Sequence, residues 1–270
     1  MKFYEGCTAL ITGASAGLGA EFARQLAPHR HRLVLVARRT DRLEALRDEL
    51  QSAYPGLTVA IYGADLAQED RRREFAAWLG EQRIKVDFLI NNAGLGDHGA
   101  FETSDWNRVR AMLDVNIGAL THLTHLLLPS MRRGGRAAIL NVSSVAGFFP
   151  LPNMAVYSAT KAYVTSLSES LAIELRPYGI TVTALCPGPV PTEFFAQARR
   201  SEEEDVVAHY DTMPAFVATP AEVVRAGLLA VMKDRPRVIP NPLLAIAVGL
   251  ALLVPFCLTR EILRNFRNKL

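Results

Sequence analysis

Apolar residues recur along this chain in two alternating rhythms. Short unbroken runs at 7–12, 32–37, 57–62, 86–90, 137–142 and 180–185 read as strands buried on both faces. Between them lie stretches with helical spacing. The pattern predicts helices over 20–26, 41–51 and 69–82, the last with Phe75, Ala76, Trp78 and Leu79 as its apolar content. It also predicts one long helix or two abutting ones over 106–131, and another carrying Tyr157 and Lys161. Six strand patterns alternating with helices specify an α/β fold: a doubly wound parallel sheet with helices on both faces. Residues 237–239 add a short last strand, giving about seven.

No repeat or linker interrupts the pattern before residue 190, so residues 1–242 are expected to form one domain. Within it, 193–219 is less periodic and more charged, and is read as a substrate lid. Thr219-Pro220-Ala221-Glu222 marks a helix start, with threonine as N-cap, proline first and glutamate third. A C-terminal extension, 243–270, is first wholly apolar and then basic. As a helix the apolar run 243–258 would reach about 24 Å, short of the roughly 30 Å of bilayer hydrocarbon. In order of preference it is an oligomer interface, a wall of the substrate channel, or a peripheral membrane contact.

Composition narrows the classes. Half of the 270 residues are apolar, enough for a sizeable core, and the net charge is only +3. The arginines are scattered, with no basic block interleaved with aromatics, which argues against a nucleic-acid partner. Cys7, Cys186 and Cys257 form no CxxC and read as reduced thiols, so a cytoplasmic location, with membrane association through 243–270 as a variant, is expected. The opening Met-Lys-Phe-Tyr-Glu-Gly runs straight into the first strand, and no signal peptide is expected ahead of the fold.

Candidate chemistry sits at the strand ends. The first strand flows into Gly13-Ala14-Ser15-Ala16-Gly17-Leu18-Gly19 and then a helix. Glycines let such a turn tighten and let backbone amides approach a pyrophosphate over the helix N-terminus. The second strand ends in Ala37-Arg38-Arg39. An acidic residue there would hold the 2′-hydroxyl of NAD, whereas arginine forks suit the 2′-phosphate of NADP, so NADP is the expected cofactor. The fourth strand breaks at Asn91-Asn92-Ala93-Gly94, small enough for a flat cofactor to pass. Tyr157 and Lys161, one helical turn apart, share a face, and Ser144 closes the preceding strand within reach of the tyrosine. A phenol serves as a base near neutral pH only if its pKa is lowered, and a neighbouring ammonium can do that.

Thr12-Gly13-x-x-x-Gly17-x-Gly19, Asn91-Asn-Ala-Gly94, Asn116, Ser144, Tyr157-x-x-x-Lys161 and Pro187-Gly188 together resemble the short-chain dehydrogenase/reductase family, in its compact single-domain branch. The motifs cover residues 5–192; Ala37-Arg38-Arg39, 155–163 and Thr192-Glu-Phe-Phe195 are further similar to a subgroup of NADPH-dependent ketoreductases. The resemblance implies a Rossmann-type sheet and a carbonyl–alcohol oxidoreductase with Tyr157 as general acid or base. It implies that Lys161 lowers the pKa of Tyr157, that Ser144 positions the substrate oxygen, and that Asn116 anchors a water linking Lys161 to solvent. Gly13, Ser15, Ala16, Gly17, Leu18 and Gly19 would cradle the pyrophosphate. Asp65 and Leu66 would contact adenine, Asn92, Ala93 and Gly94 its ribose, and Pro187, Gly188, Val190 and Thr192 the nicotinamide, together with Tyr157 and Lys161. Transfer of the pro-S hydride and a homodimer or homotetramer follow from the same resemblance. Some NADP-preferring members carry a basic residue where this chain has Ala16, so the cofactor expectation rests on Arg38 and Arg39.

The substrate is expected to be a small carbonyl or alcohol, with Phe148, Phe149, Leu151, Met154, Phe194 and Phe195 pointing to a lipophilic ketone, acyl or steroid-like compound. The alternative is a cofactor-binding sensor or scaffold of the same fold without turnover. His122 and His125 lack a third ligand nearby and are read as helix-interface residues, so no metal is expected. Arg71-Arg72-Arg73 reads as a solvated helix face, Glu202–Asp205 as lid surface and Ser143 as a structural hydroxyl; no Gly-x-Ser-x-Gly elbow is present.

Overall fold

Seven parallel strands form one sheet in the computed structural model, which describes residues 6–29, 32–133, 135–200, 214–255 and 258. The strands are β1 (Thr8–Thr12), β2 (Arg32–Ala37), β3 (Val59–Gly63), β4 (Phe88–Asn91), β5 (Ala137–Val142), β6 (Ile180–Leu185) and β7 (Arg237–Val238). Their order across the sheet is β3-β2-β1-β4-β5-β6-β7. Parallel neighbours cannot be joined by hairpins, so each connection crosses over, and the helices of those crossovers cover both faces. They are α1 (Gly17–Leu26), α2 (Thr40–Ala53), α3 (Glu69–Glu81), α4 (Trp106–Leu113), α5 (Leu120–Arg132), α6 (Ala155–Leu175), α7 (Glu193–Ala198), α8 (Pro220–Met232) and α9 (Pro242–Leu252).

Strand alternation sorts the core into two layers. Ala9, Ile11, Leu33 and Leu35 face α1, α2 and α8, where Phe22, Leu43 and Val224 are fully buried. Leu10, Val34, Leu89 and Ile139 face the other way, against Phe75 of α3 and Leu123 and Met131 of α5. Deleting a ring such as Phe22 or Phe75 from these layers costs about 3–5 kcal/mol.

The chain reverses direction across the sheet between β1 and β4, and the carboxyl ends of those strands open a crevice there. That crevice positions everything functional below.

Some boundaries differ from the expected ones. The third strand begins at Val59 instead of residue 57, because the Leu57 amide is spent on the Tyr54 carbonyl in the turn that follows α2. The first helix starts at Gly17, so the glycine motif supplies its first turn. The 106–131 stretch is α4 and α5 joined through a π-helical segment, Asp114–Ala119, that holds Asn116. The start of α8 is as expected: Thr219 Oγ1 accepts from the Glu222 amide, the Glu222 carboxylate accepts from the Thr219 amide, and Pro220 is first. Thr219→Ala should therefore lower unfolding stability by about 1 kcal/mol, measured by urea titration.

At the start of the apolar run lies α9, 11 residues capped by Asn241 and about 16 Å long. Leu244 and Val248 are buried on its inner side, while Leu243, Ile246, Leu250 and Leu253 are each more than half exposed. Of the expected lid, 201–213, with Glu202–Asp205, lies outside the described residues.

Candidate active site

Above the carboxyl ends of β1, β4, β5 and β6 lies a cleft of about 910 Å³. All the candidate catalytic and cofactor residues named from the sequence line it, except Gly19 and Asn116, which sit directly behind it. Leu244 and Val248 of α9 also line it, so the channel-wall reading describes the inner side of that helix.

The loops after β1 and β4 are bolted to each other. Thr12 Oγ1 accepts from the amides of Asn92 and Ala93, both at 3.0 Å, while Asn92 Nδ2 donates to the carbonyls of Thr12 at 2.9 Å and Gly13 at 3.2 Å. Gly13 takes φ +65°, and a Cβ on it would come within 2.8 Å of the Ala93 Cα, so only glycine fits this approach. Gly19 is required for a different reason: a Cβ there would collide with the Gly13 carbonyl, so it seats α1 against the loop. No acidic side chain occupies the first turn of α1. Its positive end is left open toward the cleft, which suits a pyrophosphate. The residues present therefore fit a dinucleotide. Asp65 Oδ1 accepts from the Ala67 amide at 3.1 Å, which shapes the turn beneath the expected adenine position.

Tyr157 and Lys161 project from one face of α6, as their spacing requires, and both are buried. Ser144 caps the short turn after β5: its Oγ accepts from the Ala146 amide at 3.1 Å and lies 3.5 Å from the Pro187 carbonyl. Burial pushes the Tyr157 phenol up to about 12, and a hydrogen bond with Ser144 works in the opposite direction. Burial pushes the Lys161 ammonium down to about 8. Lys161 Nζ donates to the Val142 carbonyl at 2.8 Å and stands 5.7 Å from the Tyr157 ring centroid.

The lowered phenol pKa expected from the lysine is thus not found; burial raises it instead. Desolvation dominates for both groups, and the ammonium is committed to a backbone carbonyl. Ser143 is structural, its hydroxyl donating to the Lys161 carbonyl at 2.8 Å with Thr165 Oγ1 2.7 Å away. Phe148 does not line the cleft and lies under the Arg237 guanidinium.

Asn116 is held by its side chain. Its Oδ1 accepts from the Leu95 amide at 2.8 Å, and its Nδ2 donates to the Leu95 carbonyl at 2.9 Å and to Thr160 Oγ1 at 3.0 Å. The amide therefore clamps the loop after β4 onto α6. Gly94 sits between it and Lys161: a Cβ on Gly94 would be 3.4 Å from Asn116 Oδ1 and 3.5 Å from Lys161 Nζ.

Several contacts of the site had no sequence signal, although Arg39, Glu193 and Phe194 themselves lie in motifs read from the sequence. Glu193, at the start of α7, places one carboxylate oxygen 3.0 Å from Arg39 Nη1 and the other 2.6 Å from Arg42 Nη1. Arg39 also reaches Ser15 Oγ at 3.4 Å, so it bridges the glycine loop and α7. Phe194 packs against the Tyr157 ring, centroids 5.4 Å apart. At the far end of α7, Arg200 grips the buried carboxylate of Asp97 through both oxygens, at 3.1 and 2.6 Å. Arg108 donates to the carbonyls of Gln197, Ala198 and Arg199. Partners about 100 residues apart in the chain leave no local pattern to read.

A glycine loop at an open helix N-terminus, with buried Tyr157 and Lys161 and half-buried Ser144 facing the same cleft, defines a dinucleotide-linked oxidoreductase. Residues 7–203 match the short chain dehydrogenase family profile, and the chain belongs to that family. It is similar to a sulfoacetaldehyde reductase of Chromohalobacter salexigens, 41% identical over 189 residues covering 68% of this chain and 72% of that protein. Among solved structures, it resembles a short-chain dehydrogenase from Sphingobium yanoikuyae in complex with NADPH. That match has 34% identity and a TM-score of 0.78, over 93% of this chain and 97% of the other. It also resembles a short chain dehydrogenase/reductase from Burkholderia phymatum in complex with NAD. There the identity is 29% and the TM-score 0.80, over 92% and 93% of the two chains. The protein is an oxidoreductase acting on CH–OH and carbonyl groups.

Proposed function

We propose that the protein is an NADP(H)-dependent reductase of lipophilic ketones, with Tyr157 delivering the proton. The carrying observation is the buried Tyr157 and Lys161, with half-buried Ser144 beside them, opening into a cleft walled by Phe149, Leu151, Met154, Phe195 and Leu244. A bound nicotinamide dinucleotide would supply the hydride. The chain's own residues do the rest. Ser144 donates to the substrate oxygen and fixes its position. Tyr157, protonated at pH 7 because burial holds its pKa near 12, gives its proton to that oxygen as the alcohol forms. Oxidation would draw on the phenolate, which the same burial opposes, so its rate is expected to rise with pH while that of reduction falls. Lys161, still mostly cationic at pH 7 with a pKa of about 8, places a positive charge beside the group that becomes a phenolate.

The preference for NADP rests on Arg38 and Arg39 at the end of β2. Arg38 is exposed at the cleft, and Arg39 is anchored between Ser15 and Glu193. A charge-assisted hydrogen bond to a phosphate is worth about 1.5–3 kcal/mol. Arg38→Ala should therefore weaken NADPH binding about tenfold or more and leave NADH binding nearly unchanged. Titrating both cofactors by nicotinamide fluorescence checks this. Equal weakening of the two would remove the 2′-phosphate assignment.

A further inference from the structure

We propose that Glu193 sets the strength of NADPH binding, as a specificity-determining residue that competes with the cofactor's 2′-phosphate for Arg39. The inference rests on the NADP reading above and deepens it. Arg39 stands at the end of β2, where a 2′-phosphate is read, and it is already engaged by an anion of this chain: Glu193 Oε2 is 3.0 Å from its Nη1. The other oxygen, Oε1, is held by Arg42 Nη1 at 2.6 Å, and Gln197 Nε2 is 3.4 Å from Oε2. The guanidiniums of Arg42 and Arg39 keep the carboxyl ionised below the usual carboxylate range.

A second anion cannot share Arg39 without cost. A doubly charged phosphate arriving there either meets Glu193 at close range or displaces it. The pair is about 40% exposed, so exchange is feasible and the contact is a modulator instead of a block. NADH carries no group that needs Arg39, so Glu193 should leave its binding alone. Glu193 therefore tunes the contrast between the two cofactors, while Arg38, which forms no ion pair among the described residues, keeps its fork open to the phosphate. The position also has reach. The next residue, Phe194, packs on Tyr157, so the pair lies one residue from the reacting groups.

The test is the dissociation constant of NADPH and of NADH, by nicotinamide fluorescence, for wild type, Glu193→Gln, Glu193→Asp, Arg39→Ala and the double variant Arg39→Ala/Glu193→Gln. Glu193→Gln should tighten NADPH about fivefold and move NADH less than about twofold, while Glu193→Asp, which keeps the charge, should stay near wild type. In the Arg39→Ala background the gain should vanish, which separates competition for Arg39 from general removal of a negative charge. NADPH binding unchanged or weakened in Glu193→Gln would overturn the proposal, as would a gain that survives without Arg39. If wild type shows no preference for NADPH, the NADP reading fails for the native chain. A preference that then appears in Glu193→Gln would still support the role of Glu193, and its absence would end it.

Discussion

Tyr157→Phe is expected to lower ketone reduction by about a thousandfold while leaving the dissociation constant of NADPH within about threefold of wild type. The substitution removes one oxygen and keeps the ring. The packing of Tyr157 against Phe194, Met112 and Ala146 should survive, so the fold is not at stake. What disappears is the buried hydroxyl hydrogen-bonded to Ser144, which in the proposed mechanism hands its proton to the substrate oxygen. Proton transfer by a positioned side chain contributes about 10²–10⁴-fold, and loss of the donor should cost most of that. Parallel steady-state and binding measurements check it. A variant that keeps more than about a tenth of its turnover would require another proton source.

Lys161→Met should abolish most turnover and also change how stability depends on pH. In the unfolded chain the lysine titrates near 10.5, and in the native protein near 8. Between those values the unfolded chain holds the extra proton, so for wild type native stability rises with pH across this window. Below pH 8 the burial penalty applies in full. The shift corresponds to roughly 3 kcal/mol. Relative to wild type, the methionine variant should therefore lose about that much of its advantage between pH 8 and 10.5, read from chemical denaturation at each pH. The variant also forfeits the bond from Lys161 Nζ to the Val142 carbonyl, whose dependence on the lysine's charge is already contained in its native pKa. A flat difference across the window would mean that the lysine is not desolvated in the native protein.

The architecture was legible in the sequence because a parallel sheet buried on both faces leaves unbroken apolar runs, as at 32–37 and 137–142. The glycine turn and the Tyr157/Lys161 pair were legible because local geometry sets their spacing. Two kinds of feature were not. The protonation balance of Tyr157 and Lys161 depends on desolvation by the fold, which residue types alone do not report, so the expected lowering of the phenol pKa was reversed. The anchoring of α7 depends on Asp97, Arg108, Arg200 and Glu193, whose partners are brought together only by the tertiary fold. Asn116 lies between these cases. Its place in an apolar stretch marked it, but its clamp on Leu95 and Thr160 could be seen only in three dimensions.

The central claim is that this cleft reduces a carbonyl at the expense of NADPH. It is tested most directly by mixing the purified protein with NADPH and a panel of ketones of increasing apolar bulk, following nicotinamide absorbance and product alcohol together. The account predicts equimolar NADPH consumption and alcohol formation, faster with bulky apolar ketones than with small polar ones, and slower with NADH. Tight NADPH binding with no alcohol from any ketone would contradict it.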